Sequence, residues 1–241
     1  MLTMENPWKI RSWLLVHPSA DPAEILGSGA DRIVVDLTRP PESWQALEDL
    51  HGFWTQAPTP LCVLLPPISS GRTEAAVELA VRTEVDSVLL AGARSGADIQ
   101  HLDVLLRVAE AKAGRSGSDT SIVALADAAG ILAAKSFQRC SRRVSGLGWH
   151  VEGVSSPSSD IASLARGTIG LAAAAAGIMA VDTISDEADE AGLTSTCIAA
   201  RNSGFHGKIS RLTSEIPIIN QIFSDQLPGR VISKTSDPPS A

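Results

Sequence analysis

Gly29-Ala30-Asp31-Arg32-Ile33-Val34-Val35-Asp36-Leu37 is the stretch on which the fold turns. A glycine leads into it, β-branched residues run consecutively through its middle, and a carboxylate stands at its far end. Apolar residues without polar alternation predict a strand over residues 32–37 covered on both faces, as in a parallel sheet. Pro40-Pro41 follows. Proline is pre-set for the first turn of a helix, so a helix carrying Trp44, Leu47 and Leu50 is expected next.

The same unit recurs in both directions. Upstream, residues 12–16 form an apolar run, and Asp21 is placed to cap a helix with Pro22 at its first position. Downstream, residues 60–65 are stopped by Pro66-Pro67, and a helix over 73–85 sets Ala76, Leu79, Ala80 and Thr83 on one face. A strand over 87–91 precedes a helix over 97–113 striped by Leu102, Leu105, Leu106 and Ala109. Beyond the polar loop 114–118, strands are expected at 122–125, 144–147, 179–184 and 208–212, with helices over 189–202, ended by Gly204, and over 216–223. Units of this kind, repeated without a break in composition, predict one closed (β/α)8 TIM barrel over residues 1–227 and a polar tail over 228–241. An open dinucleotide-binding sheet is disfavoured, because His17-Pro18-Ser19 stands where that fold places G-x-G-x-x-G.

Composition narrows the function classes. The 241 residues are 44% hydrophobic and 20% charged, enough to bury a single large core. The net charge is −7 with the two signs interspersed, which argues against nucleic acid or an anionic membrane as partner. The densest basic spot, Arg142-Arg143 with Arg139, is expected to be a solvated helix end. Cys62, Cys140 and Cys197 form no CxxC pair and no zinc spacing, which suits buried thiols in a reducing cytoplasm. Residues 1–9 contain Glu5 and Pro7 and lack an apolar core, so no signal peptide is expected. The apolar stretch 171–181 is alanine-rich and too short to span a bilayer. Together these predict a soluble, cytoplasmic protein.

In such barrels chemistry gathers where strands end and βα loops begin. Those ends hold His17, Asp36, Pro66, Arg94, Asp127, His150, Glu152, Asp182 and Arg211. Two imidazoles and several carboxylates could perform acid–base work or hold a metal. The same residues could equally cap strand and helix ends by hydrogen bonding. Ser69-Ser70-Gly71-Arg72 and Ser95-Gly96-Ala97 each precede a helix, where free amides bind an anion or are satisfied by ordinary capping.

Several segments resemble the HpcH/HpaI aldolase and citrate lyase β-subunit family. Arg11-Ser12-Trp13-Leu14-Leu15-Val16 is similar to its opening R-S-x-L-F-V-P-G, and Gly29-Ala30-Asp31 through Leu37 to G-A-D-x-V-I-L-D-L-E-D. Ala174-Ala175-Ala176-Gly177-Ile178 with Ala180-Val181-Asp182 resembles A-x-A-A-G-I-x-A-I-D. Gly204-Phe205-His206-Gly207-Lys208 resembles G-F-x-G-K, and residues 216–223 the Q-I-x-x-I-N-x-x-F helix. The segments are co-linear over nearly the whole chain. The resemblance implies a phosphoenolpyruvate/pyruvate-domain-like barrel, a homo-oligomer (trimer or dimer), and Mg2+-dependent carbon–carbon lyase chemistry on a 2-oxo acid or acyl-CoA.

At the positions that carry that chemistry the sequence departs from the family. The Glu-Asp pair after the second strand is replaced by Thr38-Arg39, while Asp36 is retained. The arginine and asparagine of the third-strand V-R-x-N-P motif fall on Leu64 and Pro66. The fourth-strand L-P-K-V-E motif reads Leu90-Ala91-Gly92-Ala93-Arg94. The two metal-binding carboxylates fall on Ala126 and Val151, with Asp127 and Glu152 one position later. A one-residue shift reverses side-chain direction in a regular strand, so those two could serve as metal ligands only through a bulge or a turn. The His-Pro of G-K-x-x-I-H-P-x-Q is also missing from Gly207-Lys208-Ile209-Ser210-Arg211-Leu212-Thr213-Ser214-Glu215. The expectation is a family barrel with a degenerate metal and substrate site, acting as a binding or partner subunit. The alternative is a lyase rebuilt around His17, Asp36, Asp127 and His150, in which the two histidines and a carboxylate, Asp36, Asp127 or Glu152, suit a transition metal better than Mg2+; Arg94 is a further candidate catalytic residue, and Asp127 and Glu152 are the candidate metal ligands.

Overall fold

The strand-then-helix rhythm closes on itself. The structure, a computed structural model, describes residues 9–49, 52, 58–115, 120–149, 159–183 and 189–224. Within these, β1 (Ser12–Val16), α1 (Pro22–Leu26), β2 (Arg32–Asp36), α2 (Gln45–Asp49), β3 (Leu61–Leu65), α3 (Thr73–Arg82), β4 (Ser87–Ala93) and α4 (Gly96–Lys112) make the first half. The second half comprises β5 (Ser121–Ala126), α5 (Ala128–Leu132), β6 (Val144–Trp149), α6 (Ser159–Ala176), β7 (Met179–Asp182), α7 (Glu190–Asn202), β8 (Gly207–Ser210) and α8 (Ile216–Ser224). Each strand pairs in parallel with the next, and β8 returns to β1, with Ser12 level with Lys208. The expected (β/α)8 barrel is the observed one.

Two apolar layers follow from the period-2 alternation of a strand. Trp13, Leu15, Val34, Cys62, Leu64, Leu89, Val123, Leu125, Met179, Val181 and Ile209 form one cluster, the fill of the bore. Their sequence neighbours, such as Leu14, Val35, Val63, Leu90, Ala124 and Ala180, pack outward with the helices in the other. β6 contributes glycines to the bore. A Cβ on Gly148 would lie 2.6 Å from the Val181 carbonyl oxygen and 2.8 Å from Leu125 Cδ2. The space β6 leaves empty is thus taken by its neighbours' side chains. β4 carries one extra residue against β5: Leu90 is level with Ala124, but Ala93 is level with Ala126. Gly92, at φ 61°, absorbs that bulge.

Four expectations change. Pro41–Ser43 makes a 3-10 turn before α2 begins at Gln45, and Leu50 lies outside the described residues. The strand expected over 179–184 starts at Met179 but ends at Asp182; upstream of it α6 ends at Ala176 and Gly177 turns at φ 68°. α6 itself escapes a periodicity reading because its outer face is as apolar as its inner one, so no polar stripe marks it. Third, Arg143 is not a solvated helix end. It lies in the turn before β6, with Nε 3.0 Å from Asp103 Oδ1 and Nη2 2.6 Å from Glu110 Oε2. Asp103 and Glu110 are two turns apart on the inner side of α4, so one guanidinium reaches both. Arg139 and Arg142 are exposed, as expected. Fourth, Cys62 and Cys197 are buried as anticipated, but Cys140 is only half-buried; all three are free. Burial pushes the Cys62 thiol up to about 12, so it stays protonated in the bore. No described helix is long and apolar enough to cross a membrane. The tail expected over 228–241 lies outside the described residues.

Because Gly148 faces a backbone oxygen that cannot step aside, Gly148→Ala is expected to lower the unfolding free energy by about 1–3 kcal/mol in urea titrations.

Candidate functional site

At the C-terminal mouth the bore is capped by apolar side chains. Leu15, Leu64, Ala91, Leu125, Val181 and Ile209 are the last members of the interior cluster on their strands. Leu64, where the resembled family carries an arginine, is 2% exposed and part of that packing. β2 is the exception. Asp36 follows Val34 by two residues and so faces the bore, bringing a carboxylate to the mouth.

That carboxylate is already engaged. Oδ1 accepts hydrogen bonds from the Thr38 amide at 3.0 Å and from the Thr38 hydroxyl, and Oδ2 accepts from Arg39 Nε at 3.2 Å. The two residues that replace the family's Glu-Asp pair therefore both turn back onto Asp36. Their loop is pinned in turn: Arg72 donates to the Thr38 and Arg39 carbonyls, and Trp44 Nε1 donates to the latter. From sequence, Thr38 and Arg39 register as missing ligands; that they hold the retained one depends on the turn after β2.

Asp36 and Arg39 border a cleft of about 370 Å³ that also takes in His17, Asp21, Glu24, Arg211 and Thr213. It lies over the ends of β1, β2 and β8. The Ser19 amide donates to His17 Nδ1 at 3.2 Å. Ser19 Oγ lies closer, 2.8 Å from the same nitrogen, so Ser19 holds the ring through both its amide and its hydroxyl. Asp21 is committed to capping α1, accepting from the Ala23 amide. Of the strand-end candidates, His17, Asp36 and Arg211 come together here.

The others do not join them. Arg94 is exposed ahead of α4, its amide bonded to Asp98 Oδ2. Asp127 caps α5, accepting from the Gly130 amide at 2.9 Å. Bulges occur in β4 and β6, whereas β5 alternates regularly to Ala126, which packs outward. His150, Val151 and Glu152 lie outside the described residues. Among the described residues no three His, Cys, Asp or Glu side chains are grouped to hold a metal ion. The serine turns serve the chain itself: Ser70 accepts from the Arg72 amide and Ser95 from the Ala97 amide.

Asp182, the second retained aspartate, faces away from the bore. It alternates with Val181, so it points between the barrel wall and α6. There it is fully buried, with Lys208 Nζ 3.0 Å from Oδ2 and Trp149 Nε1 2.8 Å from Oδ1. Arg166 Nε reaches Oδ1 at 3.3 Å, and its guanidinium lies 5.7 Å from the Trp149 ring centroid. Lys208 also donates to the Thr183 carbonyl. Burial pushes the Asp182 carboxyl up, but Lys208, Arg166 and the Trp149 N–H outweigh it and hold the group below the ordinary carboxylate range. Trp149 and Arg166 come from β6 and α6, and no sequence spacing links them to Asp182.

No family profile and no curated protein sequence matches this chain. Solved structures do. RipC from Yersinia pestis is 22% identical, with a TM-score of 0.73 over 93% of this chain and 98% of its own. The citrate lyase β subunit of M. tuberculosis, solved with oxaloacetate and magnesium, is 21% identical, with a TM-score of 0.71 over 90% of this chain and 99% of its own. A CitE structure from Mycobacterium tuberculosis, in complex with magnesium, acetoacetate and coenzyme A, scores 0.71 at 21% identity over 90% of this chain and 82% of its own. At this identity the likeness establishes a shared fold.

Asp182→Ala would strand Lys208 and Arg166 beside an apolar gap, with an expected loss of about 3–5 kcal/mol in chemical denaturation. The double variant Asp182→Leu/Lys208→Met should recover part of it, since Arg166 is still left without its carboxylate. A carboxylate with a depressed folded pKa binds fewer protons folded than unfolded. Its stabilisation is therefore complete above about pH 4 and lost as pH falls through the lower folded value. Acid titration of unfolding should be steeper for the unmodified chain than for the double variant.

Proposed function

We propose that this chain is a divergent relative of the aldolase and citrate lyase β-subunit barrels that has lost their Mg2+-dependent carbon–carbon cleavage and acts as a binding or partner subunit for a small carboxylate. The observation that carries this reading is Asp36: the one carboxylate on the bore side of the mouth among the described strands is tied to Arg39 and Thr38. Co-linear motifs and a shared fold with citrate lyase β subunits support the family.

The fold relatives' magnesium is a poor fit to the residues described. Mg2+ needs several oxygen ligands in near-octahedral geometry, and Leu64, Ala91, Leu125 and Val181 offer none. Asp36 is paired with the Arg39 guanidinium, and Asp127 is turned to α5, which it caps through Oδ1. Removing several members of a cooperating set abolishes a reaction rather than slowing it in steps.

What remains suits recognition. Arg39 and Arg211 bring two guanidiniums to the cleft, with His17 beside them. Guanidinium pairs with carboxylate through two parallel hydrogen bonds, a substitute for the arginine absent at Leu64. Oxaloacetate and acetoacetate, the molecules bound to the M. tuberculosis structures, are of a size such a cleft admits.

A second reading is favoured by the proximity of His17 and Asp36: a lyase rebuilt with that pair as acid and base. It requires Asp127 to leave its capping position. Calorimetry with oxaloacetate and acetoacetate, each with and without Mg2+, separates the readings. The expected result is binding indifferent to Mg2+, no cleavage product, and about tenfold or greater weakening in Arg211→Ala, as loss of a charge-assisted hydrogen bond predicts. Mg2+-dependent turnover overturns the proposal; Mg2+-independent turnover abolished by His17→Ala replaces it with the second reading.

A further inference from the structure

We propose that the cleft over β1, β2 and β8 selects a carboxylate that also carries a protonated amine, an amino acid, over the 2-oxo or 3-oxo acid of the same skeleton, and that Asp21 and Glu24 receive the ammonium. The inference rests on the reading of this cleft as a carboxylate-binding site and adds what stands at the other end of the ligand.

The charged groups around the cleft come from three places on the mouth. Arg211 follows β8, Asp21 and Glu24 open α1 after β1, and Asp36 with Arg39 stands at the end of β2. Asp36 and Arg39 answer each other, with Arg39 Nε 3.2 Å from Asp36 Oδ2. Beside that balanced pair the cleft carries one guanidinium, Arg211, and two carboxylates, Asp21 and Glu24. A ligand held by Arg211 through its own carboxylate therefore shares the cleft with an excess of negative charge.

Helix capping accounts for one of the two acids and not for the other. Asp21 Oδ1 accepts from the Ala23 amide at 2.9 Å, as an N-cap side chain does. Glu24 stands three residues later, where a glutamate returns to the amide of the cap residue in a capping box. Among the described residues it makes neither that bond nor an ion pair; it is exposed and borders the cleft. Outward glutamates elsewhere are tied down, Glu48 to Arg82 and Glu78 to Lys112.

Charge then sorts the ligands. The carbonyl of an oxo acid can only accept a hydrogen bond, and so can an ionised Asp21 or Glu24. An ammonium at that carbon supplies three donors and a positive charge. Juxtaposed like charges reject the wrong ligand just as good contacts retain the right one. The net charge of −7 acts in the same direction, since it opposes the approach of a free anion and not of a zwitterion. A cleft of about 370 Å³ has room for either molecule, so size does not decide between them.

Calorimetry on the full chain with two matched pairs is the test: L-aspartate against oxaloacetate, and 3-aminobutyrate against acetoacetate. Each amino acid is expected to bind about tenfold or more tightly than its oxo counterpart, the worth of one charge-assisted hydrogen bond. The double variant Asp21→Asn/Glu24→Gln keeps a capping side chain on α1, and circular dichroism melts would establish that it is folded. It should weaken the amino acids, tighten the oxo acids and erase the preference, whereas Arg211→Ala should weaken both members of each pair. Oxo acids that bind as tightly as the amino acids overturn the preference and leave the carboxylate reading standing. A preference that survives the double variant overturns the assignment to Asp21 and Glu24. Failure of all four molecules to bind overturns the carboxylate reading, and this inference with it.

Discussion

A closed barrel must fill its own bore, and that requirement governs the rest of this molecule. Eight parallel strands bring alternate side chains to one axis, where no water can satisfy a polar group and no gap is free of cost. The chain meets the condition unevenly. Trp13, Leu64, Leu89 and Leu125 are large, and β6 makes room by offering Gly146 and Gly148. Among the described residues the fill continues to the mouth, where Leu64 and Val181 belong to the packing, and a cleft lies to one side, over β1, β2 and β8. Core and candidate site are set by the same side chains.

Asp36 and Asp182 show how that geometry assigns roles. Both are aspartates at the end of an apolar strand, and both survive from the resembled family pattern. Asp36 falls on the bore side of its strand and Asp182 on the helix side of its own. The first meets the mouth; the second meets Lys208, Trp149 and Arg166 in a sealed layer. An ion pair so deeply buried adds less stability than its Coulomb energy suggests, since both partners surrender hydration. What it secures is arrangement: β6, β7, β8 and α6 each contribute one group to it.

Much of this was legible in the sequence, for definable reasons. β1 was bounded to the residue, and α1 with its Asp21 cap and Pro22, because apolar runs and capping chemistry are local. α6 was not, because a helix exposing leucine and alanine outward lacks the contrast that a periodicity reading needs. The Arg143 bridge to Asp103 and Glu110 was misread for a related reason: its partners lie on a different element, and basic residues in sequence look alike whether solvated or enclosed. At the mouth, two of the strand-end candidates, His17 and Asp36, border one cleft. The same reasoning could not foresee that Asp127 would be turned to a helix amide, since one torsion angle decides it.

The Asp36–Arg39 pair has a consequence beyond its geometry. A dissolved cation visits a carboxylate according to its concentration, and a chelator or a rival ion can remove it. Arg39 is joined to Asp36 by three peptide bonds, and its local concentration is set by the chain itself. The counter-charge to Asp36 is therefore written into covalent connectivity, three residues along the same chain.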